Sequence, residues 1–266
     1  MEVHAHTHAH GKKNWKQYFW EFLMLFLAVF CGFLAENIRE HKVEQQRAKQ
    51  LAKNLYKEIY ADSIAVQQKI AIRNKKEEEC TYFITYVKDS SLTNLSARFY
   101  PAYTWAFIQS AQLMFEPNDG ILNQLRNSGE LRYFKSSELQ SEVGQLSVQI
   151  ANIRTRNDKE YSYLEVYIRP FSLKYYDFDW YEAFTQHGKI PMMQALNQNI
   201  QPLFAGKIVN ADKFSRQEAE SMASYYLLMM RGTRQIYYSQ YVTVNHQLLE
   251  ILRKEYHLSE GTPLEK

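Results

Sequence analysis

Cysteine is scarce in this chain, and the helix-breaking residues are absent from a long part of it. The two cysteines are Cys31, inside an apolar stretch, and Cys80, far beyond it, so the sequence has no disulfide framework. Between Gly32 and Pro101 there is neither glycine nor proline. Because these two residues most often interrupt a helix, their absence predicts one long helix that runs to about residue 87.

An excess of charge of one sign is also lacking. The chain has 32 Lys and Arg against 29 Asp and Glu, a net charge of +3, and the two signs are interspersed as on solvated helix surfaces. This excludes the basic face that a nucleic-acid-binding protein needs. Phosphate-binding glycine loops, HExxH motifs and CxxC pairs are also missing. An enzyme is therefore unsupported, although catalytic groups sometimes converge from distant helices.

The strongest positive signal is an apolar stretch from Trp15 to Ala35. A helix needs roughly 20 apolar residues to cross a bilayer core of about 30 Å, and the segment that starts at Tyr18 just reaches that length. Trp15, Tyr18 and Trp20 stand at one end, where aromatic rings favour the lipid headgroup layer. We therefore predict a transmembrane helix over residues 15–36.

Three other interpretations of this stretch agree less well with the residues. A cleaved signal peptide needs small residues before the cut, but Phe33 stands there. Lipoprotein processing before Cys31 would need a small residue where the chain has Phe30. A buried core helix usually carries a polar stripe, which residues 22–35 lack. An uncleaved anchor is the favoured interpretation.

The sequence indicates the orientation of the transmembrane helix less strongly than its presence. Short N-terminal tails with lysines usually stay in the cytoplasm, which favours a C-terminal domain outside it. The count of basic residues on the two sides is nearly balanced, with Lys12, Lys13 and Lys16 before the span and Arg39, Lys42, Arg47 and Lys49 after it.

Within the predicted span, Glu21 is the one charged residue between Lys16 and Glu36, which lie at its two ends. Intramembrane carboxylates are costly and often serve as ion or proton relays, so Glu21 is a candidate functional residue. The alternative is that Glu21 lies near the interface and reaches headgroups, Lys13 or Lys16. We favour the alternative because the cost of a charge falls steeply toward the interface.

Beyond the anchor, apolar residues recur at helical spacing and no segment shows the alternation typical of a strand. After a polar break at residues 88–96, the aromatic-rich residues 97–116 are predicted to form a buried core helix, since they are too short for a second span. Residues 117–120 form a predicted turn. Gly129 is predicted to end a short helix in left-handed geometry.

Two capping boxes predict the starts of long helices, Ser137–Gln140 and Ser215–Glu218. The first helix is expected to run to about Arg169, where Pro170 ends or kinks it. The second has a spacing that suits the seam of a bundle or coiled coil. The predicted fold is all-α, with a transmembrane helix continuous with a long helix of a roughly four-helix bundle.

Candidate binding residues are few. The irregular residues 171–214 contain an acidic and aromatic cluster, predicted as the lining of a site for a small polar ligand: Asp177, Asp179, Trp180 and Tyr181. The alternating histidines of the N-terminal tail offer imidazoles to a divalent metal: His4, His6, His8 and His10. Such a tail lacks a preformed geometry, so weak binding is the most that we expect, and no cofactor is predicted.

A second metal-like cluster consists of Glu36, Glu40, His41 and Glu44. Carboxylate sites in helical bundles take ligands from several helices, usually with Glu-x-x-His pairs, and no matching pair lies on another predicted helix. We interpret this cluster as a solvated or headgroup-facing surface.

The N-terminal residues KKNWKQYFWEFLMLFLAVFCGFLAENIREHKVEQQR, followed by LAKNLYKEIYADS, are specific enough to support a resemblance. They resemble a family of uncharacterised single-pass membrane proteins of Bacteroidota that share a His-containing tail, a span ending near Gly-Phe-Leu-Ala-Glu and a charged helix. The similarity covers residues 1 to about 63, and ILNQLRNSGELRYFKSSEL is similar more loosely. It implies a bacterial inner-membrane setting and assigns no activity or site residue.

These observations divide the chain into a flexible His-rich tail (1–14), a transmembrane helix (15–36), a helical bundle domain (37–258) and a flexible C-terminal tail (259–266). We expect a sensor or scaffold that is anchored in the inner membrane, has a periplasmic domain and acts through another membrane protein or by homo-oligomerisation. The alternative is a membrane subunit of an ion-driven or pore-forming assembly that uses Glu21.

Overall fold

The computed structural model describes residues 14–109, 114–198, 200 and 205–258. These residues form α-, π- and 3₁₀-helices and contain no strand, which confirms the all-α prediction. The chain divides into two compact units, Met1–Gln50 and Leu51–Lys266, which are described separately below. The histidines of the N-terminal tail and the predicted C-terminal tail lie outside the described residues.

The first helix, α1, spans Trp15–Asp89 and confirms the prediction of one long uninterrupted helix. In the first unit its apolar side chains are exposed, for example Phe22, Leu25 and Phe33. An 18-residue window of α1 has a mean hydropathy of 2.0 and none of it is buried. By length and composition, α1 is therefore able to cross a membrane.

The second unit contains two more long helical stretches, each interrupted by a π-helical segment. The elements of its described residues that follow α1 are α2 (Phe99–Tyr103), a π segment (Thr104–Ile108), α3 (Gly120–Asn127), α4 (Ser137–Tyr163), a π segment (Leu164–Ile168), α5 (Arg169–Tyr175), α6 (Phe178–Phe184), α7 (Met192–Asn197), α8 (Arg216–Gly232), a π segment (Thr233–Tyr238) and α9 (Ser239–Tyr256).

The core is a bundle in which α4 contacts both α8 and α9. The predicted apolar stripe of α4, which includes Leu139, Val143 and Ile150, is buried. The predicted helix at 97–116 is shorter than expected, because α2 and its π segment end at Ile108. Their rings are nevertheless buried, and Phe83 of α1 packs within 5.0 Å of Tyr103 between ring centroids.

Local signals correctly located several helix ends. The Ser215 hydroxyl accepts a hydrogen bond from the Glu218 backbone N–H at 3.2 Å, as the capping box predicts. Gly129 has a φ of +71°, the left-handed geometry that a glycine tolerates without strain. The start of α4 was misplaced by one residue, because the hydroxyl of Ser136 rather than Ser137 accepts from Leu139 N.

Of the two outcomes expected at Pro170, an end or a kink of the helix, the end does not occur. Pro170 lies in the first turn of α5, which continues to Tyr175. A proline removes one backbone donor and its ring crowds the carbonyl four residues earlier. The π segment Leu164–Ile168 directly precedes this position. Its wider turn changes the hydrogen-bond register, so the helical path passes through the proline.

Candidate functional site

The four residues of the acidic and aromatic cluster predicted at 177–181 lie in different environments. Asp177 is buried and caps α6, accepting hydrogen bonds from Trp180 N and Lys207 N at 3.3 Å each. Trp180 lies in the core, stacked on Phe184 with 4.6 Å between the rings. Asp179 is exposed and Tyr181 is half-buried. Asp177 and Trp180 therefore serve the packing of this segment. None of the four residues lines the cleft described below.

The other predicted candidates lie in the first unit or outside the described residues. Glu21 is exposed within the apolar part of α1. Glu36 bonds Arg39, and His41 lies 3.5 Å from Glu44, both on the exposed surface. Among the described residues no group of three or more potential ligands is placed to hold a metal ion. The His tail lies outside the described residues.

A cleft of about 470 Å³ opens in the second unit, a size typical of small-ligand sites. Its apolar wall consists of Pro101, Trp105, Phe184, Leu196 and Ile200. Its polar rim consists of Lys75, Glu78, Glu79 and Arg98. α1 and Arg98, next to α2, therefore present charges opposite an aromatic and aliphatic surface.

The four rim charges are paired with one another. Lys75 Nζ lies 2.7 Å from a Glu79 oxygen, and Arg98 Nη2 lies 3.1 Å from Glu78 and 3.2 Å from Glu79. Glu79 is nearly buried, whereas Arg98 and Glu78 are about half exposed. Arg98 also covers the Tyr82 ring, with 4.3 Å from Cζ to the centroid. The rim has no net charge and holds Arg98 in a fixed position.

Behind the rim lies a buried ionic cluster, defined here as Arg73, Lys76 and Cys80 of α1, Glu160 of α4 and Thr233 of the π segment before α9. Arg73 donates from both terminal nitrogens to the two oxygens of Glu160, at 3.3 and 2.9 Å. Burial lowers the pKa of Arg73, but the charge and hydrogen bonds of Glu160, together with Tyr238 and Tyr226, outweigh this effect, so the net shift of the pKa is upward. Arg73 is therefore charged inside the bundle.

A third helix completes the environment of this ion pair. The Thr233 hydroxyl, at the start of the π segment before α9, donates to the carboxylate of Glu160. The Thr233 hydroxyl oxygen also accepts a hydrogen bond from Arg156 Nε at 2.9 Å. Three helical stretches are thus joined through one buried carboxylate, which satisfies the charge that burial would otherwise penalise.

Lys76 lies beside this pair and is fully buried. Its ammonium donates to the Gln109 carbonyl at 3.3 Å and lies 5.1 Å from the centroid of the Tyr226 ring. No carboxylate of the described residues lies within ion-pair distance of it. Burial accordingly lowers the pKa of Lys76 to about 7, and burial raises the pKa of the neighbouring Cys80 thiol to about 12.

Sequence reasoning missed the buried ionic cluster, although a signal for it exists. The inward stripe of α1 continues from Val66 through the partly buried Ile70 to Arg73, Lys76, Cys80 and Phe83, at three- or four-residue spacing. Charged residues at positions that helical periodicity assigns to the core are the signal. The interspersed basic and acidic residues of the chain instead favour a solvated helix surface.

π-Helical segments lie next to the cluster and are often found at functional sites. Thr233 begins one of them, and another starts four residues after Glu160. Comparison of this chain with protein-family models, curated proteins and solved structures finds no match.

Proposed function

We propose that this protein is a sensor or scaffold of the bacterial inner membrane, anchored by a single transmembrane helix and acting through a protein partner or by oligomerisation. Its second unit lies outside the cytoplasm in this proposal. The observation that carries the proposal is that α1 has two different parts, an exposed apolar segment and a segment packed in the bundle. The helix supplies an exposed apolar segment to the first unit, and to the second unit it supplies three of the four charged rim residues and three of the five residues of the buried ionic cluster.

The exposure of the apolar segment supports the anchor. Side chains such as Leu25, Val29 and Phe33 are each about 70% exposed. Contiguous exposed apolar surface of this kind marks a protein or membrane interaction rather than a soluble face. The resemblance of residues 1–63 to single-pass proteins favours the membrane.

The position of the charged groups supports a conformational role over a catalytic one. Arg73, Lys76 and Glu160 are closed off from solvent, so a substrate in the cleft does not reach them. The pair Arg73–Glu160 joins α1 to α4, and moving one helix past the other must break it. Buried ion pairs of this kind favour one helix register over others.

Exposed apolar residues of the second unit give the partner a surface. Tyr225 and Leu228 of α8 are 53% and 66% exposed, and Tyr163 joins Tyr225 to the exposed Tyr167 by ring contacts. Aromatic side chains are enriched in protein interfaces. A partner or a second copy is expected to cover this surface.

The test is site-specific photo-cross-linking of the full chain in native membranes. A photoreactive amino acid at Leu228 is expected to yield a discrete adduct with a partner or a second copy. The same amino acid at Lys254, an exposed polar position, is the control and should yield none. No adduct from Leu228, together with a strictly monomeric detergent-solubilised protein, would overturn the proposal.

A second candidate function, an ion-driven or pore-forming membrane subunit, is favoured by one observation. Glu21 is a carboxylate within the exposed apolar part of α1. Replacing Glu21 by Gln is then expected to abolish complementation of a deletion strain without affecting membrane insertion. Glu40→Gln serves as the matched control. Full complementation by Glu21→Gln would eliminate this candidate.

A further inference from the structure

The cleft between α1, α2 and α7 has the chemistry of a ligand site. We propose that it binds an amphipathic zwitterion, a molecule that carries an ammonium group, a carboxylate and an apolar side chain. Free apolar amino acids and short apolar peptides both have this chemistry. The inference rests on the proposed function, because it names the class of ligand that the sensor detects.

The carboxylate end of the ligand is assigned to Arg98. Only Nη2 of its guanidinium contacts Glu78 and Glu79, and within the described part of the chain Nε and Nη1 have no hydrogen-bond partner. A guanidinium presents its donors as a fixed fork that matches a carboxylate. The contacts with Tyr82 and Glu79 hold Arg98 in place, so the remaining donors are preorganised.

The ammonium end is assigned to Glu78. Its side chain is 58% exposed, and its contacts with Lys75 are long, at 3.4 Å from Nζ to each oxygen. Exposed ion pairs of this kind contribute little and exchange readily. Glu78 therefore has an accessible carboxylate for an incoming ammonium, whereas the nearly buried Glu79 keeps its bonds to Lys75 and Arg98.

The apolar wall of the cleft indicates that the remaining part of the ligand is an apolar side chain. Trp105 and Phe184 are nearly buried except where they line the cleft, and Leu196 and Ile200 extend the same wall. An apolar side chain gains free energy by covering this surface. The rim has two positive and two negative groups, so a ligand with balanced charges leaves no uncompensated charge behind.

The rim and the buried ionic cluster share α1. Lys75, Glu78 and Glu79 alternate along the helix with Arg73, Lys76 and Cys80, which face the interior. A ligand that bonds Glu78 therefore acts on the same two turns of α1 from which Arg73 bonds Glu160 of α4 and Cys80 bonds Ala223 of α8. This arrangement gives the ligand a physical route to the helix packing.

The test is isothermal titration calorimetry of the full chain in detergent, with phenylalanine and the dipeptide Leu-Phe as separate probes. We expect saturable binding of at least one, and the tighter of the two identifies the source. Acetylating its amine or amidating its carboxylate should weaken binding at least tenfold, because each change removes one charge-assisted contact. Absence of saturable binding of both probes at millimolar concentration would overturn the inference.

A variant pair checks the location of binding. Arg98→Lys retains the charge but loses the fork, so it should weaken binding about tenfold and reduce the discrimination between carboxylate and amide. The matched control is Arg231→Lys, an exposed residue outside the cleft whose guanidinium bonds Thr81. Binding that is equal in the two variants would contradict the assignment.

The outcome is distinguishable from failure of the proposed function. Calorimetry does not depend on a partner, and photo-cross-linking at Leu228 does not depend on ligand. Ligand binding by a strictly monomeric protein that yields no adduct would retain the cleft assignment and overturn the proposed function. An adduct from Leu228 without ligand binding would retain the proposed function and overturn the cleft assignment.

Discussion

The carboxylate of Glu160 in α4 accepts hydrogen bonds from both terminal nitrogens of Arg73 in α1, at 2.9 and 3.3 Å. The side chain of Glu160 is only 2% exposed and that of Arg73 only 1%. An ion pair this deeply buried contributes little net stability, since desolvation opposes the attraction. Breaking it is a different matter, because the remaining charge is left buried without a partner. The pair therefore favours one particular packing of the two helices.

The first prediction concerns this pair. Replacing Arg73 by Met should lower the free energy of unfolding by roughly 3–5 kcal/mol, because Glu160 loses its counter-charge inside the bundle. The double variant Arg73→Met with Glu160→Leu removes both charges and should regain most of the loss. Chemical denaturation of the full chain in detergent, followed by circular dichroism, measures both.

Arg169→Met is the matched control for the ion pair. Arg169 contacts Glu165 at 2.8 Å, but its side chain is 60% exposed, so the loss should be below about 1 kcal/mol. Equal losses for Arg73→Met and Arg169→Met would show that the buried pair has no special role.

The second prediction is a pH dependence due to Lys76. Its folded pKa is about 7, lowered from an unfolded value of 10.5 chiefly by burial. Between these values the unfolded chain binds one more proton than the folded chain, so the Lys76 contribution to stability rises as the pH rises. The cost of burying the charged ammonium is fully present below pH 7 and disappears toward pH 10.5.

Lys76→Met removes this dependence. The stability of the wild type relative to Lys76→Met should increase by roughly 1–2 kcal/mol between pH 7 and pH 9. The comparison cancels the effect of Cys80, whose raised pKa opposes the trend at higher pH in both proteins. A difference that is constant across this range would mean that Lys76 is charged in the folded protein at both pH values.

The third prediction uses two glycines. Gly129 has a φ of +71°, so Gly129→Ala forces a side chain into left-handed geometry and should destabilise the protein by about 1 kcal/mol. Gly144 is exposed inside α4, and an added Cβ meets no atom within 4 Å. Gly144→Ala should therefore stabilise by roughly 0.5–1 kcal/mol. Thermal or urea denaturation measures both, and changes of the same sign would contradict the assigned geometries.

Much of the architecture follows from local signals in the sequence. The absence of glycine and proline between Gly32 and Pro101 predicts α1 correctly, and the Ser215 box locates the start of α8. These signals succeed because they depend on neighbours along the chain. At Pro170 the sequence predicts an end or a kink, and the helix does not end there. The π segment that directly precedes the proline has no sequence signature of its own.

The candidate sites were harder to predict for a physical reason. Asp177 carries an acidic group beside aromatic residues, as a binding loop would, yet its carboxylate accepts from two backbone amides. Glu160 and Arg73 are 87 positions apart, so only the packing of α1 against α4 reveals that they pair. The cleft likewise combines residues from α1 with residues near α7.

The central claim is that α1 anchors a bundle outside the cytoplasm, and labelling of a single cysteine tests it most directly. Cys80 is unsuitable because its thiol is buried and donates to the Ala223 carbonyl. The exposed Ser141 is therefore changed to Cys in a Cys31→Ser, Cys80→Ala background. The account predicts that this membrane-bound protein reacts with an impermeant maleimide in intact cells. Reaction only after lysis, or recovery of the protein in the soluble fraction, would contradict it.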